Sequence, residues 1–416
     1  MCVLTALFAD KNGEIYDAPG YQATGRTGGK VAGLLPDDLI ALPEGADLMY
    51  LPGRTALGIA DGRLAPLPGQ ALAVAAILPA GYTRTHLPAF AKLAGAPVLP
   101  LYGYAAVALW QDELYVAAVA SDDSAKWRPG DYNTARLRKL VAKVRKELPG
   151  NRLVEQLAGC SLKWRCATAQ NLFYRRWEAG IPASPVCNAN CFGCISLQPA
   201  ECCPSPQSRI DFKPTPREIA AVGVYHLSAA PEPIISFGQG CEGEPALAAG
   251  NIAAGIRLIR AQTGRGQINM NTNAGYTAGI KEIVKAGLDT MRVSIISALP
   301  ETYQAYYRSN YTLDDVKASI VFAKDRGIYV SLNMLSFPGL NDRPEEVQAW
   351  GDFLAETGVD MIQLRNLNVD PDAFLAMMPP ERQPPLGVKP FLQLLQQSFP
   401  DIAIGSFSHF VLKNGQ

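Results

Sequence analysis

From residue 185 onward, short apolar stretches alternate with longer stretches of helical period, and this alternation restricts the possible folds most strongly. The stretches that predict strands are "PIISFG", "GQINMNTNAG", "DTMRVSIIS", "IYVSLNMLSF" and "VDMIQLRNLN". Those that predict helices are "NIAAGIRLIRAQT", "TAGIKEIVKAG", "TLDDVKASIVFAKDRG", with Thr312 as its N-cap, and "RPEEVQAWGDFLAETG". With one more strand expected before residue 187, the chain has about six β/α units. Such units form a parallel sheet with right-handed crossovers, so the fold class is α/β, either an open doubly wound sheet or a full or partial barrel.

The first part of the chain has a different pattern. Turn dipeptides separate short mixed apolar segments there, and "YGYAAVALWQDELYVAAVA" predicts two strands joined around "QDE". We therefore expect an additional N-terminal domain over residues 1–165, α/β or mostly β and of unknown role. The core domain then covers residues 166–370, and residues 371–416 are expected to form a C-terminal helical extension. A chain of 416 residues is too long for one ordinary core, which agrees with this division.

Composition and charge exclude several classes of protein. The 38 basic residues equal the 38 acidic ones, so no global field attracts nucleic acid or an anionic membrane. No stretch reaches the roughly 18 unbroken apolar residues of a membrane-spanning helix, and the N-terminal "MCVLTALFADKNGEIY" lacks the basic region of a signal peptide. The nine cysteines, an odd number, favour reduced thiols and metal ligation over a disulfide framework. We therefore expect a cytoplasmic protein without a membrane or nucleic-acid partner.

Polar residues cluster where the predicted strands end. Because the carboxyl ends of parallel strands meet at one edge, chemistry is expected there. The residues at these positions are Thr272, Asn273, Ser294, Ser297, Asn333, Gln363, Arg365, Asn366 and Asn368. The last strand is unusually polar for a central parallel strand. Either it lines a ligand cavity, where Arg365 pairs with a carboxylate or phosphate of the substrate, or it is exposed at an open edge of the sheet.

Three cysteines fall within the eight residues "CNANCFGC", at Cys187, Cys191 and Cys194. A structural zinc site usually shows two separated pairs of ligands, and a ferredoxin-type run has four ligands and ends in Cys-Pro. This segment has neither feature. Three thiolates around a four-iron cluster leave one iron without a protein ligand, and that iron is free to bind a substrate or a cofactor.

Together with its surroundings, this segment resembles the radical S-adenosylmethionine (radical SAM) enzymes. CxxxCxxC is followed by "EGEP" at residues 242–245 after the next strand, by "NTNAG" on the strand after that, and by "RVSIIS" on the following one. These motifs occur in the family's order and at strand ends, and the resemblance covers roughly residues 180–370. Residues 371–416 contain no cysteine. The core is thus similar to that of molybdenum-cofactor cyclases, without the cysteine-rich C-terminal extension of many peptide-modifying relatives.

The resemblance implies a fold, a set of cofactors and a reaction. The fold is a partial (β/α)6 TIM-like barrel. Cys187, Cys191 and Cys194 would hold an oxygen-sensitive [4Fe-4S] cluster, whose open iron binds the amino and carboxylate groups of SAM. An electron from a donor such as flavodoxin or ferredoxin would then cleave SAM to a 5′-deoxyadenosyl radical, which abstracts hydrogen from the substrate.

Cofactor contacts follow from the resemblance residue by residue. They are Phe192, Gly243, Glu244, Pro245, Thr272, Asn273, Ser294 and Asn333. Residues 243–245 match the family's Gly-Gly-Glu loop, which meets the methionine amino group and needs a glycine for close backbone approach. The hydroxyls of Thr272 and Ser294 match groups that touch the ribose or the carboxylate of the cofactor.

Two positions depart from the family pattern. Gly193 stands where the family usually has an aromatic residue before the third cysteine, and Phe192 lies one place earlier. Glu242 replaces the first glycine of the loop. The first departure concerns the packing of the adenine, and the second concerns the backbone path of the loop.

The remaining cysteines have two interpretations. The candidates for an auxiliary cluster or another metal are Cys160, Cys166, Cys202 and Cys203, and the alternative is that they are unligated thiols. Cys241 lies in "FGQGCEGEP", beside the expected cofactor loop, where a thiol could donate a hydrogen atom, form a thioether or ligate a metal. Its alternative role is to fill a tight loop with a small side chain. Cys241 and Arg365 are the catalytic candidates.

Two classes of function are compatible with these features. The first is an enzyme that performs radical chemistry on a peptide or protein side chain or on a small metabolite. Its candidate substrate contacts are Gln363, Arg365, Asn366 and Asn368. The second is a non-catalytic iron-sulfur or metal-binding protein used for electron transfer, which would have no need of the "EGEP" loop.

Overall fold

The computed structural model describes residues 4–198 and 203–412. Its N-terminal part is a 13-stranded antiparallel sheet. The strands are β1 (Thr5–Ala9), β2 (Ile15–Thr27), β3 (Lys30–Gly33), β4 (Leu39–Ala41), β5 (Asp47–Ala60), β6 (Arg63–Pro66), β7 (Leu72–Ile77), β8 (Tyr82–Arg84), β9 (Leu87–Pro88), β10 (Phe90–Lys92), β11 (Tyr104–Ala105), β12 (Val107–Trp110) and β13 (Glu113–Ala120).

Tight turns and a closed ring of pairings organise this sheet. Asp61 and Gly62 both have positive φ between β5 and β6, and Gln111 and Asp112 do so between β12 and β13. Two central residues with positive φ match the right-handed twist of a hairpin, and the second turn joins the strands predicted around "QDE". Strand β7 pairs with both β5 and β1, so β1, β2, β5 and β7 form a closed ring.

Three helices connect the two sheets. They are α1 (Leu137–Glu147), α2 (Arg152–Leu162) and α3 (Ala167–Tyr174). Helix α1 buries Leu137, Val141 and Val144, as its helical spacing predicts, and it leaves its basic residues exposed. The Asn151 side chain caps α2 by accepting a hydrogen bond from Leu153 N at 2.9 Å. The apolar faces of these helices belong to the core of the second sheet.

The second sheet is parallel and follows chain order. Its strands are β14 (Glu178–Gly180), β15 (Ile234–Phe237), β16 (Gln267–Thr272), β17 (Thr290–Ile295), β18 (Tyr329–Ser336), β19 (Met361–Asn366) and β20 (Ala403–Gly405). Within the described residues β14 and β20 end the sheet without pairing with each other, as in a partial barrel. The predicted α/β class with a partial TIM-like barrel and an additional N-terminal domain is confirmed.

Helices cover the outside of the parallel sheet. They are α4 (Pro216–Leu227), α5 (Ala249–Arg260), α6 (Thr277–Gly287), α7 (Pro300–Tyr307), α8 (Leu313–Lys324) and α9 (Pro344–Thr357). Thr312 caps α8 as predicted, with its backbone N–H donating to Asp315 Oδ2 at 2.9 Å in a capping box. No helix in the described part of the chain is both long enough and apolar enough to cross a membrane.

The C-terminal segment adds a strand that the sequence did not predict. After α10 (Pro371–Leu375) and α11 (Val388–Ser398), β20 pairs in parallel with β19 through Met361 and Ala403. Three residues are too few for a periodicity signal, so the sequence predicts about six strands where the described residues form a sheet of seven. Strand β20 covers the outer edge of β19 from Met361 to Gln363, so Gln363 does not lie at an exposed sheet edge, whereas Arg365 and Asn366 lie beyond this pairing.

The N-terminal sheet lies over the carboxyl end of β19. Arg84 of β8 joins the two sheets, because its backbone N–H donates to Asn366 Oδ1 at 2.9 Å and its Nη2 donates to Leu367 O at 2.8 Å. The fully buried side chains of Arg54 and Asp370 form an ion pair at 2.6 Å. Removing one partner of a buried pair typically costs about 3–5 kcal/mol, because the other charge stays buried without compensation. These contacts hold the N-terminal sheet against the mouth of the barrel.

Candidate functional site

The loop that carries the cysteine motif follows β14 and is held by the last turn of α7. Asn190 N donates to Tyr307 O at 2.9 Å, and Phe192 N donates to Tyr306 O at 3.1 Å. Within the loop, Cys194 N donates to Cys191 O at 3.2 Å. These backbone bonds keep the three motif cysteines on one short, anchored segment.

Cys187, Cys191 and Cys194, here called the loop triad, are all partly buried free thiols. Burial raises the pKa of Cys191 well above its ordinary value, and the neighbouring charges of Cys187 and Cys194 raise it further. Arg209, which sequence reasoning missed, donates from Nη2 to Cys194 Sγ at 3.4 Å. Three thiolates so close together repel one another, so the arrangement favours a bound cation or cluster that offsets their charge.

The donor set of the loop triad has the chemistry of an iron-sulfur cluster. Among residues 4–198 and 203–412, no group of three or more histidine, cysteine, aspartate or glutamate side chains has the geometry to hold one ion. A four-iron cluster is larger than one ion, so its thiolate ligands stand farther apart. Thiolates are also the usual ligands of such clusters. Three thiols on one loop, with Arg209 beside Cys194, match a cluster that has three protein ligands.

Glu242, at the position where the family pattern has glycine, ties two loops together. Its Oε2 accepts hydrogen bonds from Ala183 N at 2.7 Å and Ser184 N at 3.0 Å, just after β14. Its Oε1 accepts from Gly238 N at 2.6 Å and Gln239 N at 2.8 Å, just after β15. Burial raises the pKa of Glu242 to about 7, although the four N–H donors act in the opposite direction. The carboxylate therefore fixes the backbone path of the "EGEP" loop.

Gly243 allows this loop to approach the cysteine segment closely. Gly243 N donates to Ser184 O at 2.7 Å, and Glu244 N donates to Val186 O at 2.8 Å. A Cβ at position 243 would lie 2.0 Å from Val186 O, a distance that no real Cβ can adopt. The residue before Cys187 is thus in direct contact with the loop, and only glycine fits there.

Glu244 connects the same loop to the end of β16. Its carboxylate accepts from Thr272 Oγ1 at 2.5 Å, Asn273 N at 2.8 Å and Ala246 N at 3.0 Å, and burial raises its pKa to about 6. Asn273 Nδ2 in turn donates to Asn188 Oδ1 at 2.7 Å, inside the cysteine loop. The structure therefore brings the cysteine, "EGEP" and "NTNAG" motifs into one hydrogen-bonded network.

A cavity of about 450 Å³ lies inside the carboxyl end of the barrel. Of the predicted site residues, those that line it are Cys160, Cys166, Cys241, Ser294, Asn333, Arg365, Asn366 and Asn368. Gly193 of the cysteine loop also lines it. The cavity therefore joins the cysteine loop to the polar residues of β17, β18 and β19.

Some predicted residues lie elsewhere. The Phe192 ring is buried, with its centroid 6.4 Å from that of Phe374. Gln363 accepts from Arg292 Nη1 at 3.1 Å and donates to Ser331 Oγ at 3.0 Å, so it supports the strands from within the sheet. Ser297 donates to Glu346 on α9, away from the cavity.

A second group of thiols faces the cavity. Cys160 of α2, Cys166 at the start of α3 and Cys241 in the loop after β15, here called the cavity triad, come from three elements. Cys241 donates a hydrogen bond to Cys160, and this bond together with burial raises the pKa of Cys241 well above its ordinary value. The same bond lowers the pKa of Cys160, which also accepts from Gln156 Nε2 at 3.6 Å. Cys241 therefore holds its proton at Sγ at neutral pH.

The predicted auxiliary set is only partly assembled. Cys160 and Cys166 lie together, but the third thiol beside them is Cys241. Cys203 is instead within electrostatic reach of Tyr104 in the N-terminal sheet. Cys202 lies outside the described residues.

The cavity contains an arginine that sequence reasoning missed. Arg292 lies on β17, two residues before Ser294, and it lines the cavity with Arg365 of β19. A charged residue inside a buried parallel strand was the signal that could have identified it, because such strands are usually apolar throughout.

Comparisons with known proteins agree with this site. The family model of the Radical SAM superfamily matches residues 181–350, which include the loop triad and the "EGEP" loop. No curated protein matches the chain.

Several solved structures are similar to part of the chain. Methylornithine synthase (PylB) is 15% identical, with 64% of this chain and 73% of that chain covered and a TM-score of 0.38. HydG, a maturase of the [FeFe]-hydrogenase, is 17% identical, with 65% and 66% covered and a TM-score of 0.37. Coproporphyrinogen III oxidase (HemN) from Escherichia coli is 14% identical, with 54% and 53% covered and a TM-score of 0.38. Similarity at this level carries no argument about substrate.

Proposed function

Because residues 181–350 form a domain of the Radical SAM superfamily, we propose that this enzyme acts on a substrate held in the barrel cavity. When bound, the [4Fe-4S] cluster and SAM supply a 5′-deoxyadenosyl radical that abstracts hydrogen from the substrate. The observation that carries the proposal is the network that joins Asn188, Asn273 and Glu244, because it fixes the three motifs side by side. An electron carrier needs neither this network nor an internal cavity.

The loop triad is the proposed holder of the cluster. Its thiols lie on a segment that α7 fixes through backbone bonds, so little ordering is needed when the cluster binds. Arg209 places a positive charge and an N–H donor against Cys194. Donors to cluster sulfurs tune reduction potential, so Arg209 is proposed to make the cluster easier to reduce. The proposed electron source is flavodoxin or ferredoxin.

The proposed SAM contacts divide into two kinds. The carboxylate of Glu244, the hydroxyl of Thr272 and the amide of Asn273 bond to one another or to neighbouring loops, so we propose that they position the loop and leave its backbone to meet the methionine amino group. Ser294 and Asn333 face the cavity directly. Their side chains are joined by a 3.3 Å hydrogen bond, and Asn333 Oδ1 is buried without a partner in the described structure. That oxygen is available to accept a hydrogen bond from the cofactor.

Cys241 is proposed as a hydrogen donor to the substrate. Its thiol donates a hydrogen bond to Cys160, so it carries a proton, and it faces the cavity. The transfer breaks the S–H bond and forms a C–H bond on the substrate radical. One electron from the external donor and one proton then restore the thiol. An auxiliary cluster or metal is the second candidate role for the cavity triad, and the iron content of the protein distinguishes the two.

The substrate is proposed to be a small metabolite or a peptide or protein side chain that enters between the barrel and the N-terminal sheet. A cavity of about 450 Å³ is within the roughly 300–1,000 Å³ of small-molecule sites. Asn366 lines the cavity and also bonds to Tyr82 O of the N-terminal sheet at 2.9 Å. The N-terminal sheet is thus in a position to shape the entrance.

The proposal is tested by anaerobic reconstitution with iron and sulfide, followed by reduction with dithionite in the presence of SAM. We expect 5′-deoxyadenosine from the wild type, none from Cys191→Ala, and an unchanged yield from Cys2→Ala, which removes a thiol outside the motif. A second measurement follows the electron paramagnetic resonance spectrum of the reduced cluster on addition of SAM. A loaded cluster whose spectrum does not respond to SAM, with no 5′-deoxyadenosine formed, would favour the electron-transfer alternative.

A further inference from the structure

Two arginines converge at one side of the cavity. Arg292 of β17 pairs in register with Ser331, and Arg365 of β19 pairs with Leu335, so β18 separates the two strands. Their long side chains nevertheless meet the same segment after β20. Arg365 Nη1 donates to Ser406 O at 2.9 Å, and Arg292 Nη1 lies 3.5 Å from Ser408 Oγ.

Both arginines have N–H groups that form no hydrogen bond in the described structure. A guanidinium carries five N–H groups, yet Arg292 Nε is buried without a hydrogen-bond partner, and Arg365 has only its bond to Ser406 in the described structure. Arg365 is accessible because it faces the cavity. Within the described residues, neither arginine has a carboxylate at ion-pair distance. Arg292 Nε therefore favours a bound acceptor, because a buried donor without a hydrogen-bond partner is destabilising.

The charges around the cavity do not balance. Arg292 and Arg365 are the charged side chains among the described residues that line it. Glu178 of β14 is within electrostatic reach of both, but its Oε1 accepts from Ser236 Oγ at 2.6 Å. Burial lowers the pKa of Arg292 to about 10, which is the expected response of a cation that lacks full compensation. Arg292 and Arg365 carry two positive charges and Glu178 carries one negative charge, so one positive charge remains among these three side chains.

We propose that Arg292 and Arg365 bind a carboxylate of the substrate, so that the enzyme acts on a carboxylic acid. This inference rests on the proposed function and names its substrate class. A single negative charge offsets the positive charge that Arg292, Arg365 and Glu178 leave. Arginine suits the task because its planar fork matches a carboxylate in a bidentate arrangement.

The position of the subsite separates it from the proposed cofactor contacts. Arg292 precedes Ser294 by two residues on the same strand and face, a distance of about 6.6 Å toward the interior. A substrate anchored there points its other end toward Gly193 and the cysteine loop, which border the same cavity. The carboxylate thereby orients the carbon that reacts, as positioning groups do in general.

The test uses ¹⁹F NMR titration of the reconstituted protein with trifluoroacetate, and trifluoroacetamide serves as an uncharged probe of the same shape. We expect saturable broadening of the trifluoroacetate signal and none for trifluoroacetamide. Arg292→Gln and Arg365→Gln should each weaken trifluoroacetate binding at least tenfold. Arg365→Lys, which keeps the charge and loses the fork, should fall between the wild type and Arg365→Gln.

The control is Arg257→Gln, on the exposed face of α5, which should bind trifluoroacetate like the wild type. Circular dichroism and iron content show whether each variant is folded and loaded. If Arg292→Gln does not fold, Arg365→Lys and Arg365→Gln carry the test. Equal binding of both probes, or binding that survives both Arg365 variants, would overturn the proposal.

Two further titrations identify the anion. Displacement of trifluoroacetate by SAM would assign the arginines to the carboxylate of the cofactor and overturn the proposal. Tighter binding of inorganic phosphate than of trifluoroacetate would overturn the choice of a singly charged group. Failure of the proposed function is seen separately, as absence of 5′-deoxyadenosine from the wild type, and it leaves the trifluoroacetate result intact.

Discussion

The loop triad and the cavity triad each contain three thiols, but the chain builds them in different ways. The loop triad lies on eight consecutive residues whose backbone is tied to the last turn of α7. The cavity triad comes from α2, α3 and the loop after β15, so it exists only after these elements pack. In the first group, burial and the neighbouring thiols raise the pKa of Cys187 and Cys191, whereas in the second a hydrogen bond from Cys241 to Cys160 leaves one sulfur protonated.

This difference separates cofactor binding from hydrogen donation. A contiguous, anchored loop presents several thiolates without distorting the rest of the fold, which suits a cluster. In the cavity triad, the protonated thiol of Cys241 holds a hydrogen atom where a substrate lies. If this comparison is correct, replacing a cysteine of the loop triad lowers the iron content, and replacing a cysteine of the cavity triad leaves it unchanged.

The largest effect is therefore expected in the iron content of Cys187→Ser, and Cys160→Ser is the variant with which it is compared. The wild type should contain about four irons per chain after reconstitution, the number in one cluster. Cys187→Ser should retain almost no iron, because a cluster with two protein ligands is poorly held. Cys160→Ser should retain all of it. Iron and sulfide analysis with the visible absorption spectrum measures both.

Other iron contents would break the comparison. About eight irons in the wild type, falling to about four in Cys160→Ser, would show that the cavity triad holds an auxiliary cluster. Equal loss in both variants would show that the two triads share one metal site. Either result would remove the proposed hydrogen-donor role of Cys241.

The sequence predicts features that consecutive residues form, as in the loop triad, and it misses features that depend on the packing of separate elements, as in the cavity triad. The β/α order and the loop triad are local patterns, and the structure confirms the fold class that they imply. The thiols that lie beside Cys160 are determined by helix packing. The sequence analysis therefore grouped Cys160 with Cys203 and did not pair it with Cys241. Strand β20 was too short to produce a periodic signal. Arg209 was missed because its contact with Cys194 joins residues 15 positions apart in an irregular segment.

The second-largest effect is expected for Gly243→Ala. The new Cβ would lie 2.0 Å from a backbone oxygen, at Val186, which cannot move without displacing Cys187. We expect a loss of about 3 kcal/mol in the free energy of unfolding, together with loss of the SAM-induced change in the cluster spectrum. Urea denaturation under anaerobic conditions measures the first quantity.

Gly250→Ala is the matched control for that variant. Gly250 lies in α5, and its new Cβ would meet only Glu282 Oε1, at 3.9 Å. Alanine in a helix is about 1 kcal/mol more favourable than glycine, so this variant should be slightly more stable than the wild type and should respond normally to SAM. A Gly243→Ala protein as stable as the wild type would contradict the close approach of the two loops.

Glu242→Gln should have a smaller effect that depends on pH. The glutamine places an NH₂ group against two of the four N–H donors. This should lower the free energy of unfolding by about 2 kcal/mol. The folded-state pKa of Glu242, about 7, is above the ordinary value of 4.5. The contribution of Glu242 to the free energy of unfolding is therefore fully present below pH 4.5 and is lost as pH rises through about 7. The stability difference between the wild type and Glu242→Gln should thus narrow from pH 5 to pH 8, as measured by urea denaturation, and a difference that widens would contradict the raised pKa.

The smallest effect is expected for Arg209→Gln, which changes the surroundings of the loop triad without removing a thiol. The guanidinium of Arg209 places a positive charge 3.4 Å from Cys194 Sγ, and a positive charge stabilises the more negative, reduced state of a cluster. The variant should keep the iron content of the wild type, and its reduction potential should be more negative in a redox titration monitored by electron paramagnetic resonance. Arg257→Gln, on the exposed face of α5, should leave the potential unchanged. A potential that does not move in Arg209→Gln would mean that the cluster charge is compensated elsewhere and that Arg209 does not distinguish the surroundings of the loop triad from those of the cavity triad.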